Sequence, residues 1–151
     1  MSWSGRLTEL GLALPPVATP AGVYLPAVQS GSLVFTAGQI PLVDGVLAVT
    51  GKLGAEIDTE LGAQLARTCV LNALAAVDGL IGLEAVVRVV KVVGFVASAP
   101  GFTAQPAVLN GASALLGEIF GAAGAHARSA VGVAELPLGA PVEVELVVEV
   151  S

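Results

Sequence analysis

The longest periodic stretch of the chain runs from Asp58 to Ile81, where Leu61, Leu65, Cys69, Ala73, Val77 and Leu80 recur at the spacing of one helical face. Glu60, Arg67 and Asp78 fall on the other face. Asp58 precedes the first turn with an oxygen able to accept from its free amides, so it is the expected N-cap. A second helical pattern puts Val108, Ala112, Leu115, Leu116 and Ile119 on one face, with Pro106 near its start and Gly121 as its stop. Between the two, Val86 to Ala97 reads VVRVVKVVGFVA. That run of β-branched residues predicts a central strand covered on both faces, with Arg88 and Lys91 near its edges or ends.

Towards the N-terminus a short helix is expected near Ser4 to Leu12, followed by an extended arm through Pro15, Pro16 and Pro20. Val23 to Gln29 and Leu33 to Ala37 flank Ser30-Gly31-Ser32 and predict a hairpin. Gly38-Gln39-Ile40-Pro41 ends its second strand, and turn signals at Asp44-Gly45 and Thr50-Gly51 predict a surface excursion from Leu42 to Ile57 with one short strand. From His126 to Glu149 the pattern reads as two strands joined by a turn at Leu136 to Pro141. Paired as a hairpin with Glu135 opposite Val142, they place Arg128, Ala130, Gly132 and Ala134 on one face with Glu143, Glu145, Val147 and Glu149. An arginine beside small side chains, with carboxylates in reach, predicts a pocket for a small anion. The element order, strand-strand-helix-strand-helix-strand-strand, implies an α+β sandwich: a mixed sheet with both helices on one face and copies of the chain over the other.

Composition supports the last point. Of 151 residues, 55% are hydrophobic and 12% charged, and the mean hydropathy is +0.88, apolar enough to expect surface hidden in an oligomer. The length suits one domain over residues 1–151, with residues 1–20 forming the helix and arm. Proline and glycine interrupt the uncharged stretches Leu10 to Val43 and Val92 to Gly117, so neither offers about 20 clean helical residues for a membrane span. The first sixteen residues make a poor signal peptide, and a cytoplasmic location is expected. A net charge of −6 with no basic run opposes nucleic acid as a partner. Cys69 is the only cysteine and His126 the only histidine, too few for a structural zinc site in one chain, and no Walker loop, GxGxxG or GxSxG is present. No cofactor and no metal are expected.

Several pieces then combine. Gly38-Gln39-Ile40-Pro41, the strand segment Lys91-Val92-Val93-Gly94-Phe95-Val96, and Arg128-Ser129-Ala130-Val131-Gly132-Val133 followed by Leu136-Pro137 and Val142-Glu143-Val144-Glu145 together resemble the YjgF/Rid family. The resemblance covers about Val17 to Val150. It implies a chorismate-mutase-like homotrimer with three ligand clefts between subunits. In the best-known branch it implies hydrolysis of reactive enamines and imines, such as 2-aminoacrylate, to 2-oxo acids and ammonia. The family's older label, endoribonuclease or translation inhibitor, is disfavoured here by charge.

Carried over by position, the resemblance makes Arg128 the binder of a substrate carboxylate and Glu143 the group that places or protonates water and imine. Tyr24 matches an aromatic residue lining the cleft from a neighbouring subunit, Asn110 matches a helix asparagine, and Gly38 opens the Gly-Gln-Ile-Pro motif. Ala37 stands where the deaminase branch commonly has serine, and Ala130 where it often has cysteine. Those two departures leave a noncatalytic trimer that binds a small carboxylate metabolite as the alternative to an imine deaminase. Plainer readings also stand: a salt bridge from Arg128 to Glu143 or Glu145, Tyr24 as a packed aromatic, Asn110 bonded locally on its helix, and His126 as a loop residue.

Overall fold

Asp58 does begin the long helix. Its Oδ1 accepts the Leu61 amide at 2.8 Å and opens α2, Thr59–Ile81. The structure, a computed structural model describing residues 2–151, adds α1 at Trp3–Glu9 and α3 at Gln105–Phe120, the latter with Pro106 in its first turn and Gly121 at its C-cap. The inward face of α2 differs from the expected one. It is Gly62, Ala66, Cys69, Val70, Ala73, Leu74 and Val77; Leu61 and Leu65 flank it, and Leu80 is 45% exposed. Small residues lie inward because α3 crosses very close: a methyl group on Gly111 would stand 2.1 Å from the Ala63 carbonyl oxygen.

Among the described residues seven strands form two sheets. The larger runs β1 (Ala27–Ser30), β2 (Leu33–Thr36), β7 (Val142–Val150), β5 (Val86–Ala97), β6 (Ala127–Val133), and all its neighbours are antiparallel except β5 and β6. The smaller pairs β3 (Leu42–Val43) with β4 (Val46–Leu47) around Asp44-Gly45, one strand more than the excursion was expected to hold. Val142, Val144, Leu146, Val148 and Val150 are buried against the helices. This is the α+β sandwich with both long helices on one sheet face. The first hairpin is shorter than its apolar runs, because beyond Ala27 and Thr36 the Ala37 amide donates to Pro26 O but proline has no N–H to return the bond. Thr36 then replaces a strand partner by accepting the Leu146 amide on its hydroxyl at 3.0 Å.

The predicted C-terminal hairpin does not form. β5 lies between β6 and β7, pairing Val92 with Arg128 and Gly94 with Ala130 on one side, and Val93 with Glu145 and Phe95 with Glu143 on the other. Arg128, Ala130 and Gly132 therefore share the helix-covered side with Val92, Gly94 and Leu146, while Glu143, Glu145, Val147 and Glu149 face away from the helices. A 3-10 turn, Pro137–Gly139, carries the chain across the end of β5 with Leu138 at φ 60. Both flanking segments bond to that end: Ser98 N donates to Val133 O and Ala97 N to Pro141 O.

Within one chain the second sheet face has no cover. Val28, Phe35 and Val131 are 53%, 43% and 44% exposed, so β5 is enclosed on the helix side only. Arg88 lies near the start of β5 as expected, but Lys91 is mid-strand beside a register shift. Thr59–Ile81 and Gln105–Gly124 are long and apolar enough to cross a membrane by length and composition, yet about half of each is buried in this fold.

The N-terminal helix is clipped to the body: Trp3 Nε1 donates to Val86 O at 2.9 Å, and the Trp3 ring meets Phe120 edge-on at 5.0 Å. Asn72, 3% exposed in mid-helix, donates to Ile40 O and Leu42 O and so ties the segment after Gly38 to α2. Asn72→Ala strips both carbonyls of their donor and should cost about 2 to 3 kcal/mol in urea unfolding; a loss below about 0.5 kcal/mol would show that the two bonds do not hold this segment.

Candidate functional site

Strand β6 aims Arg128 across the end of α3. Its Nη1 donates to Asn110 Oδ1 at 2.9 Å and Ser113 Oγ at 3.1 Å, and its Nη2 to Pro106 O at 3.4 Å. Asn110 and Ser113 meet one guanidinium because residues three apart share a helix face. The depth of α3 is set by Gly94, where a methyl group would stand 2.2 Å from Leu109 Cδ1. Every acceptor on Arg128 is neutral. Among the described residues the ion pairs are Arg6–Glu9, Lys52–Glu135 and Arg67–Glu118, so Arg128 forms no salt bridge within the chain. The Nε hydrogen and one Nη2 hydrogen have no acceptor among the described residues, and such a planar pair matches a carboxylate. Ala130 lies two residues on, packed at the core margin.

Glu143, Gly38 and Tyr24 occupy a different place. They line a cavity of 280 Å³ with Pro20, Pro26 and Leu138. The wall is formed where Gln39 and Val144 exchange backbone hydrogen bonds of 2.8 and 3.0 Å, which brings Gly38 onto the Glu143 side chain. A methyl group on Gly38 would stand 2.8 Å from Glu143 Cδ, so only glycine leaves the carboxyl in this position. Glu143 accepts no hydrogen bond from a protein group among the described residues. Burial pushes its carboxyl above the usual range, and the neighbouring Glu145 adds to the shift. Tyr24 Oη accepts the Ala21 amide at 3.1 Å, leaving its hydroxyl hydrogen free. Ala37 is outside the cavity lining.

The predicted constellation is thus two clusters. Arg128, Asn110 and Ala130 form one; Tyr24, Gly38 and Glu143 form the other. Tyr24 stands with Glu143 in the same chain, whereas the expected division set it apart from the rest. Two strand spacings of about 4.8 Å and three residues of about 3.3 Å separate the backbones of Arg128 and Glu143, and their side chains leave opposite sheet faces. The clusters cannot meet within one chain.

Sequence reasoning missed Asn72, Ser113 and Leu138. Ser113 was findable as the residue one i,i+3 step from Asn110. His126 lies in the loop just before β6, as expected, and its ring is held there: Nε2 lies 2.9 Å from Ser113 Oγ and Nδ1 2.6 Å from Gly124 O. Cys69 is fully buried, and desolvation raises its thiol well above the ordinary value, which fits simple packing. No group of three metal-ligating side chains occurs among the described residues.

The raised Glu143 carboxyl has a consequence for stability. Below the ordinary carboxylate range both folded and unfolded chains hold the proton, and Glu143 contributes nothing. As pH rises the unfolded chain releases it first, so the folded state loses stability until its own raised value is passed. Glu143→Gln should therefore unfold at a higher temperature than the parent at neutral pH, with the gap closing in acid. A gap independent of pH would show that the carboxyl is not shifted.

Comparison with known proteins agrees with this architecture. The profile of the family described as Endoribonuclease L-PSP matches residues 16–150. Protein TCP17 of Trypanosoma cruzi is 44% identical over 150 residues, covering 98% of this chain and 94% of TCP17. A Shewanella oneidensis structure, solved as a candidate endoribonuclease, superposes with a TM-score of 0.96 at 34% identity, covering 99% of this chain and all of that one. Escherichia coli TdcF with bound serine gives a TM-score of 0.64 at 26% identity, over 91% and 94% of the two chains. The chain belongs to the Endoribonuclease L-PSP family, also known as the YjgF family.

Proposed function

We propose that copies of this chain assemble as a trimer in which the Arg128 cluster of one copy faces the Glu143 cavity of the next, and that the joint cleft hydrolyses small imino and enamino acids. The observation that carries this reading is Arg128 itself. It is a guanidinium held by three neutral acceptors, with a donor pair left over and no carboxylate among the described residues of its own chain to neutralise it. The exposed apolar residues on the second sheet face supply surface for copies to bury. TdcF, a family relative, was solved with serine bound, itself a small carboxylate.

In this reading Arg128 binds the substrate carboxylate through two parallel N–H···O bonds and Asn110 keeps the guanidinium plane fixed. Glu143, whose burial favours its protonated form, gives a proton to the imine nitrogen and then accepts one from water as its oxygen joins the imine carbon. The carbinolamine collapses when Glu143 returns that proton to the nitrogen, which departs as ammonia while the carbinol hydroxyl gives its proton back to Glu143 and the carbon–oxygen bond becomes the carbonyl of a 2-oxo acid. Free imine and water balance oxo acid and ammonia with no redox step.

A second reading rests on Ala37 and Ala130, which put methyl groups where the resembled deaminases have serine and cysteine: a noncatalytic trimer that holds a small carboxylate. Ammonia release from imino acids generated in place by an amino-acid oxidase separates the two. An enzyme should show acceleration that Arg128→Ala lowers about a hundredfold in kcat/KM, the loss of roughly two charge-assisted hydrogen bonds. Glu143→Gln should abolish turnover yet retain carboxylate binding. Binding without turnover across the panel would favour the second reading. Light scattering should give three times the 14.9 kDa chain mass; a monomer would overturn the shared cleft.

A further inference from the structure

Asn72 leaves half of its amide unused. Its Nδ2 donates to Ile40 O at 3.2 Å and to Leu42 O at 3.0 Å. Two carbonyls can only accept, so the nitrogen must face them, and the orientation of the amide is fixed with Oδ1 turned elsewhere. Among the described residues no protein group donates to that oxygen. None of their fully enclosed side-chain oxygens lacks a partner, so Oδ1, on a residue only 3% exposed, opens onto free space. That space is a cavity of about 400 Å³ beside the proline-rich arm, and Asn72 is part of its lining.

The rest of the lining is rich in acceptors and apolar surface and poor in donors. Pro15 and Pro16 have no N–H to offer, Leu42 adds an apolar side chain, and Asp44 is the one charged residue. Neither lysine nor arginine borders the cavity, and Asp44 takes part in none of the ion pairs among the described residues. Asp44 lies near Asn72 for a backbone reason. It is two residues beyond Leu42, whose carbonyl Asn72 holds, and two residues of extended chain span at most about 7 Å. There Asp44 at φ 52 and Gly45 at φ 76 turn β3 back into β4. A single nitrogen at about 2.9 Å from each partner can bridge two oxygens nearly 6 Å apart.

We infer that this cavity binds a small primary amine in its ammonium form. Asn72 Oδ1 and the Asp44 carboxylate accept from the one nitrogen, and a short alkyl chain lies against Pro15, Pro16 and Leu42. An ammonium group brings three donors, no acceptor and a positive charge, which is what such a lining lacks. An alcohol has one hydrogen to give and no charge, and a carboxylate would set a second anion beside Asp44. The net charge of −6 also favours cations over anions near the surface. The site contains neither Arg128 nor Glu143, so it stands apart from the imine chemistry proposed above. Thr19 and Leu42 line both this cavity and the one at Glu143, so the two adjoin and Glu143 is the rival acceptor for an amine.

Butylammonium is the probe, titrated by calorimetry and followed by nuclear magnetic resonance of side-chain amides. The chain has two asparagines, Asn72 and Asn110. Saturable binding should shift the Asn72 amide pair and leave that of Asn110 in place. Butanol, the neutral counterpart, should bind about tenfold more weakly, and butyrate should not bind here. Asn72→Ala strips Ile40 and Leu42 of their donor, so the informative variant is Asp44→Asn. Asparagine tolerates the left-handed conformation of that turn, so the fold is kept while affinity for butylammonium falls about fivefold. Glu143→Gln and Arg128→Ala should bind the amine as the parent does. An unmoved Asn72 amide, equal affinity for butanol, affinity unchanged in Asp44→Asn, or loss of binding in Glu143→Gln would each overturn the inference, and none of these bears on ammonia release from imino acids. Failure of that release, in turn, leaves the amine site standing.

Discussion

The position of β5 between β6 and β7 governs nearly everything that follows in this molecule. Its twelve residues offer two hydrogen-bonding edges, and each of the last two strands takes one of them. The parallel pairing with β6 leaves α3 on the helix side, where it crosses over Arg128. The antiparallel pairing with β7 sends Glu143 to the other side, against the bend after β2. A direct hairpin of β6 with β7 would have placed arginine and glutamate on one face, where they would neutralise each other. Separated by β5, each keeps its chemistry: the guanidinium stays unpaired and the carboxyl stays easy to protonate.

The two clusters are supported by different means. Arg128 is oriented by side chains of one helix, so its geometry depends on how α3 is seated. The Glu143 cavity is shaped by backbone, through the Gln39–Val144 bridge and the two carbonyls that Asn72 holds. Leu138, 73% exposed and in the left-handed region, stands at the rim of that cavity. Such a conformation costs roughly 1 to 3 kcal/mol in a residue with a side chain and requires firm anchoring on both sides. The bonds at Ala97 and Ser98 provide it.

Much of this was legible in the residues. The Asp58 cap, the Pro106 and Gly121 limits of α3 and the β-branched run of β5 are local signals, and each element formed where its signal lies. Pairing was not legible, because a period of two looks the same whichever neighbour a strand takes. Two strands close in sequence with a short turn between them favour a hairpin on proximity alone; only the available edges of β5 decide otherwise. Asn72 was hidden by its apolar neighbours and Ser113 by its ordinariness. The residues singled out by resemblance fell into two groups that sequence order does not separate.

Gly111 touches neither cluster, yet it constrains what the site can become. Its α-carbon lies so near the Ala63 carbonyl that no side chain fits between α2 and α3, just as none fits between Gly94 and Leu109 on the opposite flank. Leu109 and Asn110 are therefore seated by two absences, one against a strand and one against a helix. A lineage of such proteins is free to vary the residues that α3 shows to solvent, and through them the shape of ligand it accepts. It is not free to vary how deep the helix sits, since any larger residue at either glycine would lift the acceptors of Arg128 together and alter all its contacts in one step.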